Sequence, residues 1–516
     1  MNVSANKNLP KIQKAEHVDV LIVGAGISGV GGAYHLLKQC PGTSFVVLEA
    51  LESFGGTWLM HKYPGIRSDS DLYTFGYRFK PWVGPPIATA EEIRKYMGEV
   101  IEENCLDQHI RYKHKILSAN WSNQDHLWTV DAVRTDTDEH LRFTCNFLWM
   151  CQGYYRHSEG YTPEWPGMQD YQGRIVHPQT WPEDLDYKGK KVLVIGSGAT
   201  TATIVPAMAP DAEHITVLQR SPTFFVPGIN ENELANMLRK IEVCEEWIHE
   251  IVRKKILHDF RELTRRSFEE PDKMREDLLN GVRAYLGDDY VKEHFTPRYR
   301  PWQQRIAFVP DGDLFKGIQA GKASMVTDEI ERFTAKGVLT KSGKEIEADI
   351  IVTATGFNLS VLGDIEFSID GKALDFANTV TYHGMMFTGV PNMLWIFGYF
   401  RASWTLRADM LGDFVCRLLN HMKAKGATKV EVQLRPDEEK MERLPWMDPG
   451  NFNPNYLMRS MHLLPKRLAK PEWQHTQDYW YEREAIPAID LDDSVFHYEK
   501  TSSAGEGARK AKAAVG

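Results

Sequence analysis

The clearest periodic signal in the chain is a unit that occurs twice. At 18–30, VDVLIVGAGISGV, a run of aliphatic residues meets a glycine turn and passes into a helix-compatible segment. At 191–202, KVLVIGSGATTA does the same. Such a run, turn and segment predict a strand, a glycine turn and a helix in succession. Two such units far apart predict two dinucleotide-binding domains of Rossmann-like α/β fold. Two further apolar strands end in glycine, FLWMCQGYY at 147–155 and ADIIVTATGF at 348–357. They are read as the passages of the chain out of the first domain and back into it. The expected layout is therefore a discontinuous first domain, 1–155 with 350–500, and a second domain, 156–349, inserted into it. Within the insert, 231–290 is charged and helical. There Trp247, Ile248, Ile251, Val252, Ile256, Phe260 and Leu263 recur at spacings of mostly three and four, one apolar stripe suited to core packing. A lid or a membrane contact is the alternative. Ser403-Trp404-Thr405 precedes a helix expected over 406–420, whose N-terminus can stabilise nearby negative charge. Residues 1–16 read as a polar arm and 502–516 as a low-complexity, loose tail.

Composition changes this picture little. The 516 residues are 42% hydrophobic and 25% charged, ordinary for a globular protein, and enough for two or three domains. A net charge of -9 gives no reason to expect a nucleic-acid or membrane-surface partner. The basic clusters Arg253-Lys254-Lys255 and Arg265-Arg266 read as solvated helix faces. The six cysteines contain no C-x-x-C pair, which argues against a disulfide framework and a redox dithiol, and fits a reducing cytoplasm. The apolar stretch 18–37 resembles a signal peptide in length, but it holds Asp19, five glycines and His35 and lacks a small-residue cleavage site. No integral membrane segment is expected, and the histidines show no metal-ligand spacing.

The two glycine turns carry the chemistry. In Gly24-Ala25-Gly26-Ile27-Ser28-Gly29 the first glycine permits a tight turn and the second removes a side chain where pyrophosphate approaches. The third lets helix and strand pack closely. The next strand, TSFVVLE, ends in Glu49, 25 residues after Gly24. A carboxylate there accepts hydrogen bonds from a ribose 2′-OH and repels a 2′-phosphate, which suits the adenosine of FAD. The second turn, Gly196-Ser197-Gly198-Ala199-Thr200-Thr201, departs at Thr201, where a smaller residue is usual, so looser helix–strand packing is expected. Its second strand, HITVLQR, ends at Arg220, followed by Ser221. A guanidinium suits a 2′-phosphate, so this site favours NADPH. A solvated strand-end arginine is the plainer alternative.

Two further segments support a resemblance. Gly55-Gly56-Thr57-Trp58, followed by Tyr63-Pro64-Gly65 and Asp69, resembles one fingerprint of the Baeyer–Villiger monooxygenases. Tyr171-x-Gly173-x-x-x-His177-x-x-x-Trp181-Pro182 resembles the other, with Tyr171 where Phe is usual. Related N-hydroxylating and S-oxidising flavin monooxygenases usually lack the tryptophan found here at Trp181. YPGIRSDSD, HPQTWPEDLDY, VIGSGAT, LQRSPT, VPDGDLF and ASWTL look like the ethionamide-activating branch of the bacterial class B flavoprotein enzymes. The resemblance implies that FAD is reduced by NADPH, that O2 adds to give a C4a-peroxyflavin, and that a ketone becomes an ester or lactone. Sulfides and thioamides are also oxidised in that branch. It places the active-site arginine at Arg305, in PRYRPWQQRIAFVP, and its orienting carboxylate at Asp69; Asp71 instead fits a helix cap. Many members carry lysine at the position of Gln304, so phosphate recognition leans on Arg220 here. Gly56, Thr57 and Trp58 are expected to approach the flavin, Trp58 as a wall. His177 reads as a structural or hinge residue rather than a base, and Trp181 as a packing anchor. The rival readings are an S- or N-oxygenating flavin monooxygenase, a flavin reductase without oxygen insertion, which the missing C-x-x-C disfavours, and a non-catalytic scaffold, which two intact turns disfavour.

Overall fold

The structure is a computed structural model that describes residues 15–501. The tail expected at 502–516 and residues 1–14 of the expected arm lie outside the described residues. Glu16, assigned to that arm, instead opens the first strand, Glu16–Val23.

That strand is central in a nine-stranded sheet. Its residues pair in parallel with Phe45–Leu48 on one side, Val20 opposite Phe45, and with His140–Met150 on the other, Val20 opposite Phe147. Val20, Leu21 and Ile22 are fully buried, as a strand covered on both faces requires. Each such side chain contributes roughly 1.5–3 kcal/mol by leaving water. On the far side of His140–Met150 the sheet continues antiparallel through Leu127–Arg134 and His114–Ser122. The second sheet has five strands in the order Ala323–Thr327, His214–Gln219, Lys191–Ile195, Ile350–Thr353, Arg174–Val176. All are parallel, and Lys191–Ile195 occupies the centre. In both sheets the first strand of the repeated unit has neighbours on both sides. The crevice beyond its carboxyl end is the topological position where open α/β sheets take ligands.

The sheets correct the expected boundary at 350. Ile350–Thr353 pairs with Lys191–Ile195 and Arg174–Val176, so this strand completes the second sheet rather than returning to the first. The crossings are instead Tyr155–Gly160 and Phe357–Leu359, which pair antiparallel with each other. An apolar strand ending in glycine can join either sheet, and only the pairing decides. His177 ties these crossings together: its Nε2–H donates to the Gly356 carbonyl at 3.0 Å, while its Nδ1 accepts from the Gln179 N–H at 3.1 Å. A Cβ at Gly160 would lie 1.9 Å from the His177 ring, so only glycine fits there.

The insert folds as helices, chiefly Glu245–Glu269 and Pro271–Leu286. The apolar stripe is only half core. Ile248 and Val252 are fully buried, but Trp247 is 65% exposed and Ile251 38%. Adjacent helical positions diverge by about 100°, so a stripe that includes both 247 and 248 cannot all face inward. Arg253 reverses the other expectation for this helix. It is buried, and its Nη1 donates to the carbonyls of Tyr73, Thr74 and Gly76. The later helix runs Trp404–Lys425, longer at both ends than expected. No helix among the described residues is long and apolar enough to cross a membrane.

Candidate active site

The first glycine turn is built as tightly as its sequence implies. Gly24 has φ +96° and donates to the Leu48 carbonyl at 2.8 Å. A Cβ on Gly29 would lie 1.8 Å from the Gly24 carbonyl oxygen, so helix Ile27–Gln39 can pack here only with glycine. Glu49 is buried, and its carboxylate accepts from the N–H groups of Ala25 and Leu51 at 2.6 and 2.9 Å. Burial raises its pKa and these donors oppose the rise. Gly56, at φ +51°, brings its backbone against Gly26: a Cβ there would sit 3.2 Å from the Gly26 Cα. The second turn repeats the form. Gly196 has φ +124° and donates to the Leu218 carbonyl at 2.9 Å. Thr201 stands where Gly29 stands in the first, and its Oγ1 donates to the Gly196 carbonyl at 3.0 Å. The Ser197 hydroxyl donates to the Ser221 carbonyl at 2.9 Å.

A cavity of about 460 Å³ joins the two turns. Its walls include Gly24, Gly26, Ser28 and Glu49 at the first turn, and Gly198, Ala199 and Thr200 at the second. Gly56, Thr57, Trp58, Asp69, His177 and Arg305 also face it. Gly29, Gly196 and Ser197 do not line it. Arg220 and Ser221 are exposed outside it, Arg220 near Glu329, whose carboxyl Lys341 chiefly and Arg220 secondarily hold below its usual range. Tyr171 is a structural residue: its hydroxyl donates to the Ala348 carbonyl at 2.8 Å. Gly173 leaves room for that ring, since a Cβ would lie 2.3 Å from the Tyr171 hydroxyl. Trp181 packs, half-buried, on the core of the second sheet.

Arg305 and Asp69 meet in a two-pronged ion pair, Nε to Oδ2 at 2.5 Å and Nη2 to Oδ1 at 2.7 Å. The guanidinium also donates to the Phe400 carbonyl at 3.0 Å and the Ser70 hydroxyl at 3.2 Å. Its side chain keeps 38% exposure because it fronts the cavity, although it lies deep in the molecule. Burial alone lowers its pKa; the Asp69 carboxylate more than offsets this, so Arg305 is a permanent cation. The loop that delivers it is strained. Trp302 has φ +62°, a left-handed conformation unusual for a bulky residue, and Arg401 Nε holds its carbonyl at 3.2 Å. Asp71 caps the short helix Leu72–Phe75 by accepting from the Tyr73 N–H.

Behind the ion pair lies a second chamber of about 230 Å³, also bounded by Asp69, Ser70 and Arg305. Its other walls are mostly apolar, among them Ile87, Val226, Ile256, Phe260 and Leu263, with Arg401 and Ser403 also at the edge. Sequence reasoning missed these walls, and it missed Gln152, His61, Tyr154, Tyr155 and Tyr456 in the larger cavity. Neither amide atom of Gln152 nor the Nδ1 of His61 has a hydrogen-bond partner within the protein, although all are buried. Burial holds His61 down to about 4, so it is neutral at physiological pH.

Geometry of this kind defines a class: a protein that brings two dinucleotides to one reaction chamber. The chain belongs to the flavin-binding monooxygenase-like family, whose description matches residues 83–369, and an NAD(P)-binding Rossmann-like description matches 22–83. It is 45% identical to the FAD-containing monooxygenase EthA of Mycobacterium tuberculosis over 94% of this chain and 98% of that one. It is 40% identical to the probable FAD-binding monooxygenase AlmA of Acinetobacter baylyi over 96% and 99% of the two chains. Among solved structures, a steroid monooxygenase bound to NADP matches with a TM-score of 0.75 at 23% identity, over 94% of this chain and 100% of that one. At this identity the likeness establishes the shared fold. The protein is thus a flavin-dependent monooxygenase.

Proposed function

We propose that the protein is a Baeyer–Villiger monooxygenase that uses FAD, NADPH and O2 to convert ketones to esters or lactones, and that also accepts sulfides. The observation that carries this reading is the Arg305–Asp69 pair, a fixed cation fronting a chamber that opens on both glycine turns.

The residues present fit both cofactors. Glycines at 24, 26 and 56 leave bare backbone where a pyrophosphate and a flavin would lie, and Gln152 offers buried amide atoms that lack protein partners. Gly198, Ala199 and Thr200 would hold the NADPH phosphates at the N-terminus of helix Ala199–Met208. In this reading the sheet containing Glu16–Val23 carries FAD and the inserted sheet carries NADPH. Bound together, the two cofactors supply hydride transfer and activation of O2. The protein does the rest. Glu49 orients the adenosine ribose. Asp69 holds the Arg305 guanidinium toward the chamber, where it stabilises negative charge that develops as oxygen is transferred. The second chamber takes the apolar body of the substrate out of water. The test is product identification after turnover with NADPH and O2: an ester from a ketone supports the reading, and NADPH oxidation that yields no oxygenated product counts against it.

Coenzyme choice gives a separate expectation. Arg220→Ala should raise KM for NADPH roughly ten- to a hundred-fold while leaving KM for NADH nearly unchanged, since only NADPH carries the 2′-phosphate. Steady-state kinetics with both coenzymes checks this, and equal effects on the two would remove Arg220 from phosphate recognition.

A further inference from the structure

Three tyrosine hydroxyls in the cavity wall have no part in the steps above. Tyr154 and Tyr155 follow the turn at Gly153, φ +78°, just beyond strand His140–Met150. Tyr456 comes from a distant part of the sequence, on the short helix Asn455–Ser460. Their rings converge, with centroids 4.0 Å apart for Tyr154–Tyr155, 5.7 Å for Tyr155–Tyr456 and 6.4 Å for Tyr154–Tyr456. The Tyr154 hydroxyl donates to that of Tyr155 at 2.8 Å, and the Tyr456 ring packs against both. All three line the same cavity as Arg305 and Asp69. The cluster is anchored from behind. Tyr154 stacks on Trp404 at 5.3 Å and 10°, and Trp404 Nε1 donates to the Ser28 hydroxyl at 2.8 Å.

Packing alone does not call for hydroxyls here, because phenylalanine would fill the same wall without the cost of burying polar groups. Burial raises the pKa of each phenol even though Arg305 pulls Tyr154 and Tyr456 the other way. At neutral pH all three therefore keep their protons and are not bases; Tyr154 spends its O–H on Tyr155, which leaves the O–H groups of Tyr155 and Tyr456 to donate. A donor cluster beside a fixed cation suits an oxygen that gains negative charge.

We propose that Tyr155 and Tyr456, with Tyr154 donating to Tyr155, form with Arg305 the donor set that binds the carbonyl oxygen of a ketone substrate. This rests on the Baeyer–Villiger reading. When the terminal oxygen of a peroxide bonds to the carbonyl carbon, the π pair moves onto the carbonyl oxygen, where the phenol O–H groups meet it. The pair returns as the migrating carbon shifts to the inserted oxygen and the O–O bond breaks, its electrons leaving on the distal oxygen. The tyrosines donate hydrogen bonds throughout and give up no proton. A sulfide offers no carbonyl oxygen, so the same donors do nothing for its oxidation. The cluster thus determines preference for ketones over sulfides.

Tyr154→Phe, Tyr155→Phe and Tyr456→Phe holoenzymes test this, each keeping its ring. For each, kcat/KM for a ketone is measured beside the rate of flavin reduction by NADPH and the rate of sulfoxide formation from an aryl methyl sulfide. The expected result is a ten- to a hundred-fold loss with the ketone in at least one variant, with flavin reduction and sulfoxide formation within about two-fold of wild type. Parallel losses in all three rates would assign the tyrosines a structural role, and unchanged ketone kinetics in every variant would remove them from recognition; either result overturns the proposal. Failure of the underlying reading has a different signature: the wild-type enzyme itself then makes no ester from any ketone.

Discussion

Arg305→Ala should bind FAD and be reduced by NADPH as the wild type is, yet lose ester formation by about 10²–10³-fold. The side chain forms its hydrogen bonds outside both glycine turns. Its partners are Asp69, Ser70 and Phe400, so its removal leaves both dinucleotide sites standing. What disappears is the cation fronting the chamber. Reduced flavin in the variant should reoxidise with release of hydrogen peroxide instead of oxygen transfer. Asp69→Ala should give a milder loss, because Arg305 remains but keeps only the Phe400 carbonyl and Ser70 hydroxyl to orient it. Stopped-flow reduction, a peroxide assay and ester quantification on the same samples separate the steps. Ester formation by Arg305→Ala at the wild-type rate would take the arginine out of the chemistry.

The second large effect is on stability. Arg407 and Glu482 are both fully buried and pair at 2.7 Å. Glu482 also accepts from the Tyr399 and Thr476 hydroxyls at 2.6 and 2.9 Å, while Arg407 donates to the Phe397 and His383 carbonyls. This network fixes the segment that leads into helix Trp404–Lys425, and Tyr399 is part of the cavity wall. Removing one partner leaves a buried charge uncompensated, so Glu482→Ala should cost about 3–5 kcal/mol. A markedly lower thermal midpoint is the expected reading. The pH dependence follows from the charge. Burial pushes the Glu482 carboxyl up, but Arg407 and its other neighbours hold it down to about 2, against an ordinary 4.5. A lowered folded-state pKa stabilises above the unfolded value and is lost as pH falls through the folded one. The gap in thermal midpoint between wild type and Glu482→Ala should therefore be full above about pH 5 and shrink as pH falls toward 2. A gap that stays constant down to pH 2 would show that the pair's charge contributes nothing.

Local chemistry was legible in the sequence where one short segment contains the whole device. The turns at Gly24 and Gly196, with the strands that lead into Glu49 and Arg220, each span a single strand–turn–helix–strand unit. Its spacing reflects backbone geometry. Arg305 was a different case. In its own segment it looks like a surface arginine in a proline-rich loop, and only resemblance to a family marks it out. The remaining features depend on contacts that local pattern does not encode. Ile350–Thr353 reads as a generic buried strand, and only its pairing with Lys191–Ile195 assigns it to the second sheet. Trp247 and Arg253 depart from expectation because helical spacing identifies a stripe without saying which edge meets the core. Tyr456 lies far along the chain from Arg305, and Glu482 far from Arg407, with no periodicity to link either pair. Both pairs arise from the tertiary fold.

The most direct test of oxygen insertion is turnover of the purified holoenzyme with NADPH and a ketone under ¹⁸O2, followed by mass spectrometry of the product. The expected result is an ester or lactone heavier than the ketone by one atom of ¹⁸O, formed in proportion to the NADPH consumed. NADPH oxidation that converts all the oxygen to hydrogen peroxide, with the ketone recovered unchanged, would contradict it.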